Sequence, residues 1–139
     1  DTLQKYIVTY PESDNIKEAN ELATELRIKL EQKAYQIAWE YYKKGNAGIP
    51  GENYKAAIIA FTNFLNEHPG SPFREAAFYH RFAAAYQLAI NSYQFLMQER
   101  LTEARGYYNN YMRFYPEGGE YCDEIQAANR DLDSRLQNF

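Results

Sequence analysis

Apolar positions in residues 53–69 keep a fixed register with the proline that closes the stretch. Ala57 stands twelve residues before Pro69, Phe61 eight, Phe64 five, Leu65 four and His68 one. The same offsets before Pro116 find Ala104, Tyr108, Tyr111, Met112 and Tyr115. Before Pro11 they find Leu3, Tyr6, Ile7 and Tyr10, and the alanine position falls ahead of Asp1. Spacings of three and four put these residues on one helical face. Proline then ends the helix because it has no N–H for the ladder. The alanine admits a close neighbour and the aromatic one turn later fills the groove beside it. Three copies of one spacing predict a repeat protein.

The segments between these copies complete the pattern. Ser13 and Asp14 are N-cap candidates, with Lys17 and Glu18 in the following turns. From there to Lys44 the chain has no Gly or Pro, and apolar residues recur from Ile16, Ala19, Leu22, Ala23, Leu26 and Leu30 through Ala34, Ile37, Ala38, Tyr41 and Tyr42. That pattern predicts one long helix. GNAGIPGE, Gly45 to Glu52, is a loop. It lengthens the Tyr41 to Ala57 interval to sixteen residues, where a repeat of about 34 residues leaves about nine. It reads either as a tolerated surface insertion or as a contact loop with Ile49 as its anchor. Ser71 and Pro72 are the expected N-cap and first position of the next helix. Residues 73–115 contain no proline and only Gly106, so the necessary reversal is placed near Asn91 to Met97, where Asn91 and Ser92 favour caps. The last pair is then Gln98 to Phe114 and, beyond Pro116-Glu117-Gly118-Gly119, Glu120 to Gln137. Ile125, Ala128, Leu132 and Leu136 form its seam, with Asp123, Asn129, Arg130, Asp133 and Arg135 on its polar face. The expected fold is an all-α solenoid of antiparallel helix pairs in one domain, with units at about residues 1–12 (partial), 13–69, 72–116 and 120–139.

Composition narrows the chemistry. The net charge of −4 and the mixing of both signs along every segment speak against a nucleic-acid surface. No uninterrupted apolar run approaches the ~18 residues that a bilayer span needs. The single cysteine, Cys122, excludes an internal disulfide and a cysteine metal cluster, and its surroundings suit a small packed side chain. His68 takes the place of the tyrosines before Pro11 and Pro116, which suggests a packing or capping role; His80 reads as solvated. Neither histidine belongs to a metal-binding pair, and GNAGIPG lacks the Lys-Ser or Lys-Thr of a phosphate loop. No catalytic residue, cofactor or metal is therefore expected. Of the 14 tyrosines and 8 phenylalanines, Tyr41, Tyr42, Phe61, Phe64, Tyr79, Phe82, Tyr86, Tyr108, Tyr111 and Tyr115 fall on repeat positions and are expected in the core. Tyr54, Phe73, Tyr93, Phe95, Tyr107 and Tyr121 fit no such position and are candidate partner anchors.

The alanine, the aromatic four residues on and the proline eight further resemble the second helix of a tetratricopeptide repeat. Ala34-x2-Ile37-Ala38-x2-Tyr41 and Tyr79-x2-Phe82-Ala83-x2-Tyr86 resemble its first helix. The runs KAYQIAWEYYKKG, YKAAIIAFTNFLNEHPGSPFREAAFY, AAAYQLAINS and ARGYYNNYMRFYPEG, in that order, resemble the BamD family of outer-membrane assembly lipoproteins, especially its Bacteroidetes-type members. The resemblance covers nearly the whole chain. It implies a non-catalytic periplasmic scaffold, lipid-anchored through a cysteine ahead of Asp1, whose middle and C-terminal repeats face the POTRA domains of BamA. On that footing the exposed cations of the last repeat, Arg105, Arg113, Arg130 and Arg135, are the expected partners of acidic POTRA groups. A generic tetratricopeptide adaptor for extended peptides and a glycan-binding helical lipoprotein, the latter using Tyr93 or Tyr107, are the alternatives.

Overall fold

The computed structural model describes residues 15–117 and 119–139. Leu3, Tyr6, Ile7, Tyr10 and the proposed caps Ser13 and Asp14 lie outside the described residues. Five helices follow in order: α1 Asn15–Lys44, α2 Glu52–Glu67, α3 Arg74–Ile90, α4 Gln94–Phe114 and α5 Cys122–Leu136. Among the described residues there is no strand.

Each boundary has a local cause. α1 ends with Lys43 and Lys44 in its last turn, where cations favour the negative end of the helix dipole. Gly45 follows at φ 53°, and its N–H reaches the Tyr41 and Tyr42 carbonyls at 3.4 and 3.1 Å. Before α3, the Ser71 hydroxyl accepts the Phe73 N–H at 3.1 Å. It caps a preliminary turn, so the helix begins at Arg74 rather than at Pro72. The α3–α4 reversal sits at the early edge of its expected window. Asn91 donates its side-chain amide to the Gln87 carbonyl at 2.8 Å, and Ser92 its hydroxyl to the Leu88 carbonyl at 2.5 Å. Those two bonds stop α3 at Ile90, and α4 starts at Gln94, one turn before the expected Gln98. α2 and α4 end alike: His68 has φ −131° and ψ 60°, and Tyr115 has φ −132° and ψ 58°.

Successive helices pack on one another, and α3 also touches α1 and α5. Rising numbers meet falling ones across each interface. Tyr42 faces Tyr54 at 6.2 Å between ring centres, Tyr35 faces Phe61 and Phe64 at 5.7 and 5.9 Å, and His68 lies 3.6 Å from Glu31. Across α3 and α4, Tyr111 donates to Glu75 at 2.7 Å while Phe82 faces Tyr108 at 6.1 Å. A helix with neighbours on several sides needs short side chains, and α3 supplies buried Ala77, Ala83, Ala84, Ala85 and Ala89. Ala57, Phe61, Phe64, Ala104 and Tyr111 are buried at the matching repeat positions, and Ile125 and Leu132 anchor the last helix.

The apolar face of α1 departs from expectation. Its 30 residues extend about 45 Å, against about 24 Å for the 16 residues of α2. Leu22, Leu26 and Leu30 therefore run past the end of their neighbour and are exposed. Ile37 and Tyr41, expected in the core, are exposed, although the neighbouring Ala38 is buried.

Phe82→Ala should lower stability by about 3–5 kcal/mol, because it empties a fully buried site between Tyr86 and Tyr108. Leu26→Ala should change it by no more than about 0.5 kcal/mol. Urea midpoints of the two variants check the contrast.

Candidate functional site

Two of the four expected arginines are engaged within the chain. Arg105 pairs with Asp133, which joins α4 to α5. Arg135 donates to Asp131 at 2.7 Å, and Tyr86 of α3 donates to the same carboxylate. The Tyr86 hydrogen bond, then Arg135, holds the Asp131 carboxyl below its usual range. Burial, and then that bond to Asp131, pushes the Tyr86 hydroxyl up to about 12. Arg113 and Arg130 are exposed and form no ion pair among the described residues. The four do not form one cluster of available cations.

Arg113 instead belongs to a strip that the repeat pattern did not reveal. Arg74, Phe78 and Arg81 stand four and then three residues apart on α3, and so share a face. Opposite them on α4 stand Tyr107 and Phe114, seven residues apart. The Arg81 guanidinium lies 4.3 Å from the Tyr107 ring centre and 5.6 Å from that of Phe78. Arg74 lies 5.1 Å from Phe78 and 4.5 Å from Phe114, and Arg113 is 5.8 Å from Phe114. Cations and rings thus alternate as Tyr107, Arg81, Phe78, Arg74, Phe114, Arg113. The electron-rich ring faces hold the guanidinium groups in position, each contact contributing about 0.5–2 kcal/mol according to its desolvation.

Arg81 is the unusual member. It is 8% exposed, donates to the Thr62 hydroxyl at 3.3 Å, and keeps a buried Nε–H without a partner. Burial lowers its pKa, opposed by Tyr107. A buried cation is ordinarily matched by an anion. Here none of Arg74, Arg81 and Arg113 pairs with a carboxylate among the described residues. An acidic group does touch one of its rings: Glu103 accepts the Tyr107 hydroxyl at 3.3 Å. In a chain of net charge −4, three guanidinium groups on shared rings are a local reversal of sign. Their planar forks suit carboxylates.

His80, expected in solvent, is buried. Trp39, Tyr79, Tyr121 and Tyr42 surround it at 4.7, 4.9, 5.4 and 5.5 Å between ring centres. Its Nδ1 lies 2.8 Å from the Ala76 carbonyl and 3.1 Å from the Tyr35 hydroxyl. A carbonyl only accepts, so Nδ1 carries the proton. Desolvation lowers the imidazole pKa against that bond, and burial raises the hydroxyls of Tyr35, Tyr42 and Tyr79. His68 packs on Phe64 at 5.2 Å, in line with the packing role expected of it. No group of three or more His, Cys, Asp and Glu among the described residues is placed to hold a metal ion.

The unassigned aromatics divide. Tyr54 is buried, Phe73 stacks on Tyr35 at 5.5 Å, Tyr121 stacks on Tyr79 at 4.5 Å and 6°, and Tyr107 lies under Arg81. Tyr93 and Phe95 remain exposed. Half-buried Cys122 opens α5. No helix among the described residues is long and apolar enough to cross a membrane. The chain matches no protein-family model and no curated protein.

His80 should make stability depend on pH. Its folded pKa lies below the ordinary 6.5, so the unfolded chain binds the proton more tightly. The neutral form's contribution is complete above 6.5 and is lost as pH falls from there through the lower folded value. Urea midpoints of the wild type should fall more steeply than those of His80→Gln between about pH 7 and 5. Parallel curves would remove His80 from the account.

Proposed function

We propose that this chain is a non-catalytic scaffold of the outer-membrane β-barrel assembly machinery. In this reading its helices form a tetratricopeptide-type solenoid of antiparallel pairs that docks an acidic face of the BamA POTRA domains. It works at the periplasmic side of the outer membrane, held there by a lipid anchor upstream of the described residues. The order of the repeat motifs and the matching helix ends at His68 and Tyr115 support the solenoid.

The observation that carries the docking reading is the strip of Arg81, Arg74 and Arg113, whose guanidinium groups pair with no carboxylate among the described residues. A preformed row of cations steers an acidic partner and fixes its register. The arginines already sit on rings, so little side-chain freedom remains to be lost on binding. The expected contacts of Arg105 and Arg135 are set aside, because both are occupied by α5 carboxylates.

The test is binding of the purified chain to the POTRA domains of BamA from the same genome, followed by calorimetry. Arg74→Glu and Arg113→Glu should each weaken binding by about tenfold or more, and the effect should shrink in high salt. Arg105→Gln should leave affinity within about threefold of the wild type. Failure to bind POTRA domains, or equal binding by all three variants, overturns the reading.

A further inference from the structure

A cleft of about 300 Å³ opens between the Gly45 to Gly51 loop and the α3–α4 turn, at the far end of α3 from Arg74. Its floor includes the apolar side chains of Leu88 and Leu96, and its rim carries Lys55, Tyr93 and Arg100. No Asp or Glu lines it, and neither Lys55 nor Arg100 forms an ion pair among the described residues. Tyr93 is 77% exposed and Phe95 80%, yet their rings stack at 6.0 Å and 9°. Two large rings held against each other in water are poorly explained by core formation.

The walls are built rather than loose. Asn53 donates its side-chain amide to the Ala47 carbonyl at 2.7 Å, and the Ala47 N–H bonds the Lys44 carbonyl at 3.0 Å. Gly51, at φ 82°, brings the loop so close to α3 that a Cβ there would stand 3.1 Å from Leu88 Cδ1. On the other wall Ser92 donates to the Leu88 carbonyl at 2.5 Å, so its oxygen is left to accept Arg100 at 2.6 Å. That pair fixes the guanidinium at the rim, with donors to spare. The loop that lengthens the repeat is thus one side of a shaped cavity, and Ile49 stands 70% exposed near it.

We infer that this cleft binds an acidic peptide motif, an apolar side chain flanked by carboxylates. The apolar group enters between Leu88, Leu96 and the Tyr93 ring, and the flanking carboxylates meet Lys55 and Arg100. The cleft is also lined by Asn46, Asn91 and Ser92; two leucines beneath a cationic rim suit a ligand that is apolar in the middle and anionic at its edges. This site is separate from the arginine strip and does not depend on the proposed docking to POTRA domains.

The experiment is fluorescence anisotropy of a labelled decapeptide of alternating Glu and Leu with the full chain, compared with alternating Gln and Leu. The acidic peptide should bind at least about tenfold more tightly, and Lys55→Glu and Arg100→Glu should each weaken it by about tenfold. Tyr93→Ser should weaken it by about fivefold at unchanged thermal stability, since the ring is exposed. Arg113→Glu should leave it unchanged. The inference is overturned if the two peptides bind alike, or if Lys55→Glu and Arg100→Glu have no effect. It is equally overturned if Arg113→Glu alone abolishes binding, or if oligogalacturonate binds more tightly than the acidic peptide.

Discussion

Everything in this fold depends on how closely other helices can approach α3. It touches all four of the others, and five of its buried residues are alanines. Short side chains bring the helix axes together, and the voids between them are filled from outside by Phe61, from within by Phe82, and from α4 by Tyr111. Interiors built this way tolerate little change in volume. The same closeness governs the turn into α5. Tyr111 donates to Glu75 and accepts the Tyr121 N–H at 3.3 Å, and Gly119 passes so near that a Cβ would lie 2.8 Å from the Tyr111 oxygen. One hydroxyl thereby fastens α3, α4 and the connection to α5.

What the sequence disclosed was local. Helix ends follow from proline, glycine and short polar side chains acting within a few residues, so the offsets before Pro69 and Pro116 located Ala57, Phe61, Ala104 and Tyr111 in the core. The reversal at Asn91 was visible for the same reason, although the Ser92 bond to Leu88 sharpened it by a turn. What depends on other helices was hidden. Leu22, Leu26 and Leu30 have the spacing of a buried face, but burial needs a neighbour alongside, and α2 is too short to provide one. His80 is enclosed by rings from α1, α3 and the α4–α5 connection, which no local window contains. The partner of Arg105 is assigned only once α5 has docked, whereas that of Arg135 lies four residues away on its own helix.

The candidate surfaces illustrate the same division. A pattern search that counts apolar positions passes over arginine, yet Arg74 and Arg81 sit at helical spacing around Phe78 on α3. That spacing was a readable signal; the pairing with Tyr107 and Phe114 was not. Similarly, the extra length of the loop after Gly45 was plain, but its use was not. Asn53 and Gly51 turn it into a wall, facing an arginine that is positioned from a different helix.

Trp39 is the chain's single tryptophan. It stacks on Tyr42 at 5.4 Å and meets the His80 ring edge-on at 4.7 Å, so one indole spans the join between α1 and α3. Protonated imidazole quenches a neighbouring indole more strongly than the neutral ring does. The molecule therefore carries its own optical gauge: emission from this one side chain reports, with no added label, both the seating of α1 and the protonation of the histidine beneath it.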